Sequence, residues 1–376
     1  MTAGRTMLVR GRLILDDAIV PGRVHVEDGR IAAIEPDDAE QDGPFVAPGF
    51  VDLHVHGWGG YDAMGSRVDL DGMARALLRH GVTSFLPTAV TAGLGALLAF
   101  ADRVRDWMPG APPDGATPLG FNLEGPFISP HRSGAQNPAF IAVPAGVPRQ
   151  TLLPLLPGLR VTTVAPEVEG GLDLIRWLTV NGITASLGHS AATLDEARAG
   201  YAAGARTTTH LFNAMSGIAH HAPGLAVAAL IDDSVYVELI ADGHHVHPSL
   251  WPIIARTKPA DRLVVVSDAL SIAGMGDGRT ALGGLEVDVL GGRATLAGTD
   301  TLAGSVIALD AAVRNLVAAG LTLPAAVAAA SRNPLALLGV GERGRIEVGQ
   351  RADLVELDDE LEVLRVARDG AWISPR

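Results

Sequence analysis

The chain has 376 residues, 48% hydrophobic and 19% charged, a composition that excludes a disordered protein and allows one large globular domain or two. Its formal net charge of −13 argues against nucleic-acid binding, although one arginine or a backbone nest is enough to hold a phosphate group. The sequence has no cysteine, which excludes disulfides and thiolate ligands, so any transition metal must be held by histidines and carboxylates.

The start of the chain does not resemble a targeting segment. MTAGRTMLVRGRL lacks the apolar stretch of a secretory signal peptide. No uncharged apolar run reaches the length that spans a bilayer. We therefore expect a cytoplasmic protein that does not contact a membrane.

Both ends of the chain predict short strands. Asp28-Gly29 lies between apolar residues and predicts a hairpin turn, and Asp369-Gly370 gives the same signal near the C-terminus. We predict that residues 1–48 and 345–376 together form a small β-sandwich domain.

The middle of the chain, residues 49–344, alternates strand-like runs with helical segments rich in Ala, Leu and Arg. Eight such strands with intervening helices predict a (β/α)₈ barrel of the α/β class. Thr193, with Glu196 three residues later, predicts a capping box at the start of one helix. The eight runs are FVDLHVHG, VTSFLPTA, LGFNLEGPF, VTTVAPE, TASLGHS, TTTHLFNAM, VYVELIADGHHV and RLVVVSDAL.

A glycine-rich insert, residues 274–304, follows the last of these strands. Its pattern predicts a hairpin, and the sequence favours equally a surface excursion and a loop beside the mouth of an active site. Ser305 directly follows the insert and is predicted to cap the next helix.

Seven polar residues share one position, the carboxyl end of a predicted strand, where (β/α)₈ barrels form their active sites. His54 and His56 are two residues apart on a strand, so both side chains can face the same side. A single histidine there is more often an ordinary polar residue, but seven side chains at matching ends favour a divalent-metal site. The seven are His54, His56, Glu124, His189, His210, His245 and Asp268.

A site bridged by a carbamoylated lysine is not expected. Lys258 is the single lysine of the chain, and it precedes a proline away from any predicted strand end. The bridging ligand must then be a carboxylate, and Glu124 is the natural candidate.

Six motifs, taken in order along nearly the whole chain, resemble the N-acetylglucosamine-6-phosphate deacetylases of the amidohydrolase superfamily. They are PGFVDLHVHG, LEGPFISP…GAQNP, GHS, THLFNAM, ADGHHV and VSDA. The resemblance implies a (β/α)₈ barrel, a β-sandwich formed by both termini, and a homodimer.

The resemblance also implies a metal site. Glu124, His189 and His210 match the residues that hold the metal family members generally keep. Because His54 and His56 are both present, a second ion is plausible, with Glu124 as the bridge and Asp268 nearby. Zinc is the expected ion, and iron, manganese and cobalt suit the same ligands.

The implied reaction is hydrolysis of the N-acetyl group of N-acetylglucosamine 6-phosphate to glucosamine 6-phosphate and acetate. Metal-bound water would attack the amide carbonyl, with Asp268 as general base and then general acid. His245 would polarise the carbonyl, with His244 and His247 as less well-placed neighbours. Phe212, Asn213 and Ala214 match the segment that holds the sugar phosphate.

Two departures from the family pattern concern the substrate. His221 in AHHAPG stands where family members carry an arginine that reaches the phosphate from the partner subunit, and Gln136 stands where a histidine is common. Arg132 could compensate, because a guanidinium pairs well with phosphate. The alternative is a deacetylase of a non-phosphorylated N-acetylhexosamine or another N-acyl amino sugar. A barrel used only for binding should have lost ligands, and every one is present.

Overall fold

The computed structural model describes residues 5–373. Residues 1–4 and 374–376, which belong to the predicted small domain, lie outside the described part. The strands are β1 (Thr6–Ile14), β2 (Ile19–Glu27), β3 (Arg30–Pro36), β4 (Phe45–Pro48), β5 (Phe50–Val55), β6 (Gly57–Trp58), β7 (Tyr61–Asp62), β8 (Val82–Ala89), β9 (Thr117–Pro118), β10 (Phe121–Leu123), β11 (Leu159–Val164), β12 (Thr184–Leu187), β13 (Thr207–Thr208), β14 (Tyr236–Leu239), β15 (Leu263–Val265), β16 (Gly278–Leu282), β17 (Leu285–Leu290), β18 (Arg293–Leu296), β19 (Leu354–Leu357), β20 (Val363–Arg368) and β21 (Ala371–Ile373). The α-helices are α1 (Arg67–Leu78), α2 (Leu94–Trp107), α3 (Arg149–Leu152), α4 (Gly171–Val180), α5 (Leu194–Ala202), α6 (Leu225–Ile231), α7 (Trp251–Thr257), α8 (Leu309–Ala318), α9 (Leu323–Ala330) and α10 (Arg332–Leu338).

Both ends of the chain contribute to one seven-stranded sheet, in the order β21-β20-β19-β4-β1-β2-β3. Asp28-Gly29 joins the antiparallel strands β2 and β3, and Asp369-Gly370 joins β20 and β21, so both predicted turns are confirmed. Strand β4 links the two ends, because it pairs with β1 on one side and with β19 on the other. The domain limits at residues 48 and 345 stay predictions.

The middle of the chain forms the predicted barrel. Its eight strands are parallel and follow the order β5-β8-β10-β11-β12-β13-β14-β15. The first and last strands meet just beyond their ends, where the Asp268 amide donates to the His54 carbonyl at 2.8 Å and the His56 amide to the Ala269 carbonyl at 2.9 Å. The contacts that close the barrel thus fix three of the candidate site residues.

Of the two helix caps predicted from the sequence, one is confirmed and one is wrong. Thr193 and Glu196 form the predicted capping box at α5, each side chain accepting the other's backbone N–H. The predicted cap at Ser305 is wrong, because α8 begins at Leu309 with Ala308 as its N-cap. Ser305 instead pairs its backbone with Asp268 and donates its hydroxyl to the Ser267 carbonyl, which keeps it beside the end of β15.

The glycine-rich insert folds as a three-stranded antiparallel sheet, β16-β17-β18, rather than a single hairpin. Buried side chains including Val287, Val289 and Ala294 pack against Leu270 at the mouth of the barrel. The insert therefore lies beside the end of the barrel that carries the predicted site.

No helix within residues 5–373 combines the length and the apolar character that crossing a bilayer requires.

Candidate active site

The candidate metal ligands lie at the carboxyl ends of the barrel strands. His54 lies in β5, Glu124 directly follows β10, and Asp268 lies just after β15. His189, His210 and Asp268 have φ values of 45°, 28° and 51°, a left-handed conformation that costs about 1–3 kcal/mol per non-glycine residue. The surrounding barrel holds these strained turns and aims the side chains into one buried cluster.

The cluster consists of two groups that share Glu124. In one, Glu124 Oε1 lies 3.0 Å from His189 Nε2 and 2.9 Å from His210 Nε2. In the other, His56 Nε2 lies 3.2 Å from Glu124 Oε2 and 3.1 Å from Asp268 Oδ1. His54 completes the second group, with Nε2 3.5 Å from the same Asp268 oxygen. Oε1 of Glu124 faces His189 and His210 and Oε2 faces His56, so the carboxylate is placed to bridge the two groups.

Three of the four histidine rings, those of His54, His56 and His189, are oriented by contacts of their second nitrogens. Nδ1 of His56 donates to the Thr88 carbonyl at 3.1 Å, and Nδ1 of His189 donates to the Arg132 carbonyl at 2.9 Å. Nδ1 of His54 lies 3.3 Å from a carboxylate oxygen of Glu238. A proton on Nδ1 leaves the lone pair on Nε2, which is the form that binds a metal.

The charges of the cluster favour cations. Burial acts to raise the pKa of Glu124, but the charge of His54 and hydrogen bonds from His189 and His210 hold that pKa well below its usual range. Burial acts to lower the pKa of His56, and hydrogen bonds to Asp268 and Glu124 raise it to about 9. The raised pKa of His56 reflects the negative charge of Asp268 and Glu124, which a divalent ion would balance instead.

The donor set fits a transition metal of the zinc type. Four ligands at ~2.0–2.1 Å from an ion would place neighbouring donor atoms about 3.3 Å apart, close to the spacings within both groups. His54 Nε2 is buried and has no hydrogen-bond partner among residues 5–373, and it lies 3.5 Å from Asp268 Oδ1 and 3.6 Å from Glu124 Oε1, a position that suits a shared cation. Lys258 lies elsewhere, with its ammonium donating to the carbonyls of Ala229 and Asp232, which agrees with a carboxylate bridge.

A cavity of about 530 Å³ opens above the two groups. His245 lines it, with a ring that is only 5% exposed and an Nδ1 that lies 2.7 Å from Asp242 Oδ2. This contact leaves Nε2 of His245 for a substrate. His244 is exposed, and His247 bonds Ser249, so His245 is the best placed of the three histidines.

All the predicted substrate-binding residues except His221 line the cavity. Phe212, Asn213, Ala214 and Arg132 line the cavity together with Gln136. Gln136 also holds Glu124, since its Nε2 donates to Glu124 Oε2 at 2.5 Å and its Oε1 accepts the Thr91 N–H at 2.7 Å.

His221 does not reach the cavity of its own chain. It is exposed, outside the lining, with its ring 4.0 Å from that of His220. Its predicted role stays a prediction.

Three residues of the site escaped the sequence reasoning. Glu238 and Thr88 hold His54 and His56, and Asp242 holds His245. Asp242 lies in the ADGHHV motif, three residues before His245, and this spacing was a usable signal. Glu238 is a lone acidic residue inside a buried strand, and it carried a usable signal too, because a buried charge needs a partner.

Comparisons with known proteins agree with this geometry. The sequence model of the amidohydrolase family matches residues 45–373. The N-acetylgalactosamine-6-phosphate deacetylase of Escherichia coli O157:H7 is 40% identical over 378 residues, which cover 98% of this chain and 100% of that protein. The human N-acetylglucosamine-6-phosphate deacetylase is 40% identical over 374 residues, which cover 94% of this chain and 88% of that one.

Solved structures show the same relationship. The N-acetylglucosamine-6-phosphate deacetylase of Thermotoga maritima superposes with a TM-score of 0.92 at 33% identity, covering 98% of this chain and 100% of that one. The Mycobacterium smegmatis enzyme, solved as an aspartate-to-alanine variant with N-acetyl-D-glucosamine-6-phosphate, gives 0.91 at 37% identity, covering 99% and 100%. The chain therefore belongs to the amidohydrolase family and, within it, to the group of the N-acetylglucosamine-6-phosphate deacetylases.

Proposed function

We propose that this chain is a metal-dependent deacetylase that hydrolyses N-acetylglucosamine 6-phosphate to glucosamine 6-phosphate and acetate. One observation carries the proposal: two ligand groups share Glu124 at the floor of a cavity that Asp268 and His245 also line. The names of the relatives support the substrate class.

Glu124, the four histidines and Asp268 would hold the metal, and Asp268 and His245 would also act on the substrate. A divalent ion held there would supply Lewis-acid chemistry, activating water and polarising the acetyl carbonyl. Asp268 takes the proton of the attacking water and returns it to the leaving amine. His245 donates from Nε2 to the carbonyl oxygen as negative charge develops there, and Asp242 keeps its ring in that orientation.

We infer two ions per chain, because both ligand groups are complete. Zinc is the ion that we propose, and iron, manganese and cobalt accept the same imidazole and carboxylate donors.

The sugar phosphate is proposed to lie against Phe212, Asn213 and Ala214, with Arg132 as the cation for its phosphate. Phe212 and Ala214 have φ values of 77° and 48°, so this segment turns sharply beside the cavity. The side chain of Arg132 lines the cavity and is exposed. A guanidinium there can pair with two phosphate oxygens.

Two alternative substrates have specific support. The E. coli relative that matches this chain throughout is named for N-acetylgalactosamine 6-phosphate, so the 4-epimer is one candidate. A non-phosphorylated N-acetylhexosamine is the other, because His221 lies outside the cavity and Asp300 adds a negative charge at its edge.

We also propose a homodimer. An apolar groove of about 380 Å³, lined by Phe212, Leu230, Ile254 and three exposed side chains, adjoins the site through Phe212. The exposed side chains are Ile218, Leu250 and Ile253. A second copy covering this groove would bring its own exposed loops towards the substrate cavity. Cytoplasmic location stays a prediction from the sequence.

The test is an assay of acetate release from phosphorylated and free N-acetylglucosamine and N-acetylgalactosamine, with metal content measured on the same preparation. We expect metal-dependent release from the 6-phosphates. Full activity after Glu124→Gln would contradict the proposal.

A further inference from the structure

Glu238 lies beneath both ligand groups and belongs to neither. It stands in strand β14 and is 1% exposed. Its Oε2 lies 3.3 Å from His54 Nδ1, and the same oxygen accepts the backbone N–H of His210 at 3.3 Å. One carboxylate oxygen thus contacts one candidate ligand from each group.

The Nδ1 contact of His54 differs from those of His56 and His189. His56 and His189 donate Nδ1–H to neutral backbone carbonyls, whereas His54 faces a carboxylate. A carboxylate fixes the ring and raises the basicity of the ligating nitrogen more than a carbonyl does. In His54 the nitrogen whose basicity Glu238 raises is Nε2, which is buried and has no hydrogen-bond partner among the described residues.

Glu238 also changes the charge of the centre. Glu124 and Asp268 supply two negative charges, which one divalent ion balances. Glu238 and Asp52 are two further buried carboxyl groups beside His54, in an environment where uncompensated charge is costly. A second divalent ion would supply positive charge close to them.

We propose that Glu238 is a positioning residue that holds His54 towards the second ion and thereby determines that the centre binds two ions. The inference rests on the proposed two-ion centre but not on the identity of the substrate. It concerns the group of His54, His56 and Asp268. The ion between Glu124, His189 and His210 should be affected less, because Glu238 contacts only the backbone N–H of His210 and not its ring.

The experiment compares the wild type with Glu238→Ala and Glu238→Gln. Ions per chain are measured by elemental analysis after equilibrium dialysis in buffered zinc, and each protein is also loaded with Mn²⁺ for electron paramagnetic resonance. Two Mn²⁺ ions joined by Glu124 give an exchange-coupled spectrum, and a single ion does not. Far-UV circular dichroism and thermal unfolding verify that each variant is folded.

We expect two ions per chain in the wild type and one in Glu238→Ala, with loss of the coupled spectrum. Glu238→Gln keeps a hydrogen-bond acceptor but removes the charge. This variant should lower the affinity for the second ion by roughly 10–100-fold, the range for groups that support metal ligands. Asp310→Asn is the matched control, because Asp310 is a buried carboxylate that contacts the Nδ1 of His80, away from the cavity. It should keep two ions and the coupled spectrum.

A folded Glu238→Ala chain that keeps two ions with wild-type affinity overturns the proposal. A wild type that binds one ion at saturating metal, or an Asp310→Asn chain that also loses the second ion, overturns it as well. If Glu238→Ala does not fold, unchanged zinc affinity in Glu238→Gln also overturns the proposal. A chain with two ions and no acetate release contradicts the proposed function and leaves this inference intact.

Discussion

The floor and the rim of the cavity are built differently. The floor is defined here as Glu124, His189, His210, His54, His56 and Asp268, and all six are buried at the ends of barrel strands. The rim is defined as Arg132 and residues 300–302, which lie on connecting segments outside the barrel strands. The difference assigns the two parts separate tasks, because rigid buried groups suit chemistry and exposed loops suit substrate selection.

Loss of the metal should have the largest effect, because every floor residue faces it. We expect exhaustive chelation to lower kcat/KM by about 10³-fold or more, since Lewis-acid stabilisation is worth several kcal/mol. Acetate release is measured before chelation, after it, and after adding back zinc, manganese, cobalt or iron. Activity that persists in a protein shown by elemental analysis to be metal-free would contradict the role of the floor.

Asp268→Asn should come next. The amide keeps the shape of the side chain but does not accept the water proton, so we expect kcat to fall by about 10²–10⁴-fold. Asp310→Asn, a buried change away from the cavity, should leave kcat within about twofold. Equal losses in the two variants would mean that the effect reports folding and not proton transfer.

His245→Asn should cost less, about 10²–10³-fold in kcat, the range for removing one donor to a developing oxyanion. Substituting the orienting residue, Asp242→Asn, should give a smaller loss with the same sign, because the ring remains but is held less firmly. If Asp242→Asn were the more damaging change, His245 would not be the donor to the carbonyl.

Arg132→Ala should have the smallest effect, and one that is selective for phosphate. We expect KM for N-acetylglucosamine 6-phosphate to rise by roughly 10–100-fold, as hydrogen bonds to charged groups contribute ~1.5–3 kcal/mol. Arg176→Ala, an exposed arginine on α4 that pairs with Asp173, is the control and should leave KM unchanged. An unchanged KM in Arg132→Ala would shift phosphate recognition to other groups.

The floor was predictable from the sequence, whereas of the rim only Arg132 was. His54, Glu124 and Asp268 end apolar runs, and barrel geometry alone brings such positions together. Ser305 shows the limit of local signals, because a backbone pairing with Asp268 overrides its capping tendency. The place of the insert depends on packing of Val287 and Ala294 against Leu270, which no sequence period encodes. His221 lies on an exposed segment outside the cavity of its own chain.

The most direct test of this division is the ratio of kcat/KM for N-acetylglucosamine 6-phosphate to that for N-acetylglucosamine, measured in the wild type, Asp268→Asn and Arg132→Ala. We expect a wild-type ratio above about tenfold, or 1.4 kcal/mol. Asp268→Asn should lower both constants and preserve the ratio, whereas Arg132→Ala should bring the ratio towards one. A wild-type ratio below about tenfold, or a ratio that responds to Asp268 and not to Arg132, would contradict the separate tasks of floor and rim.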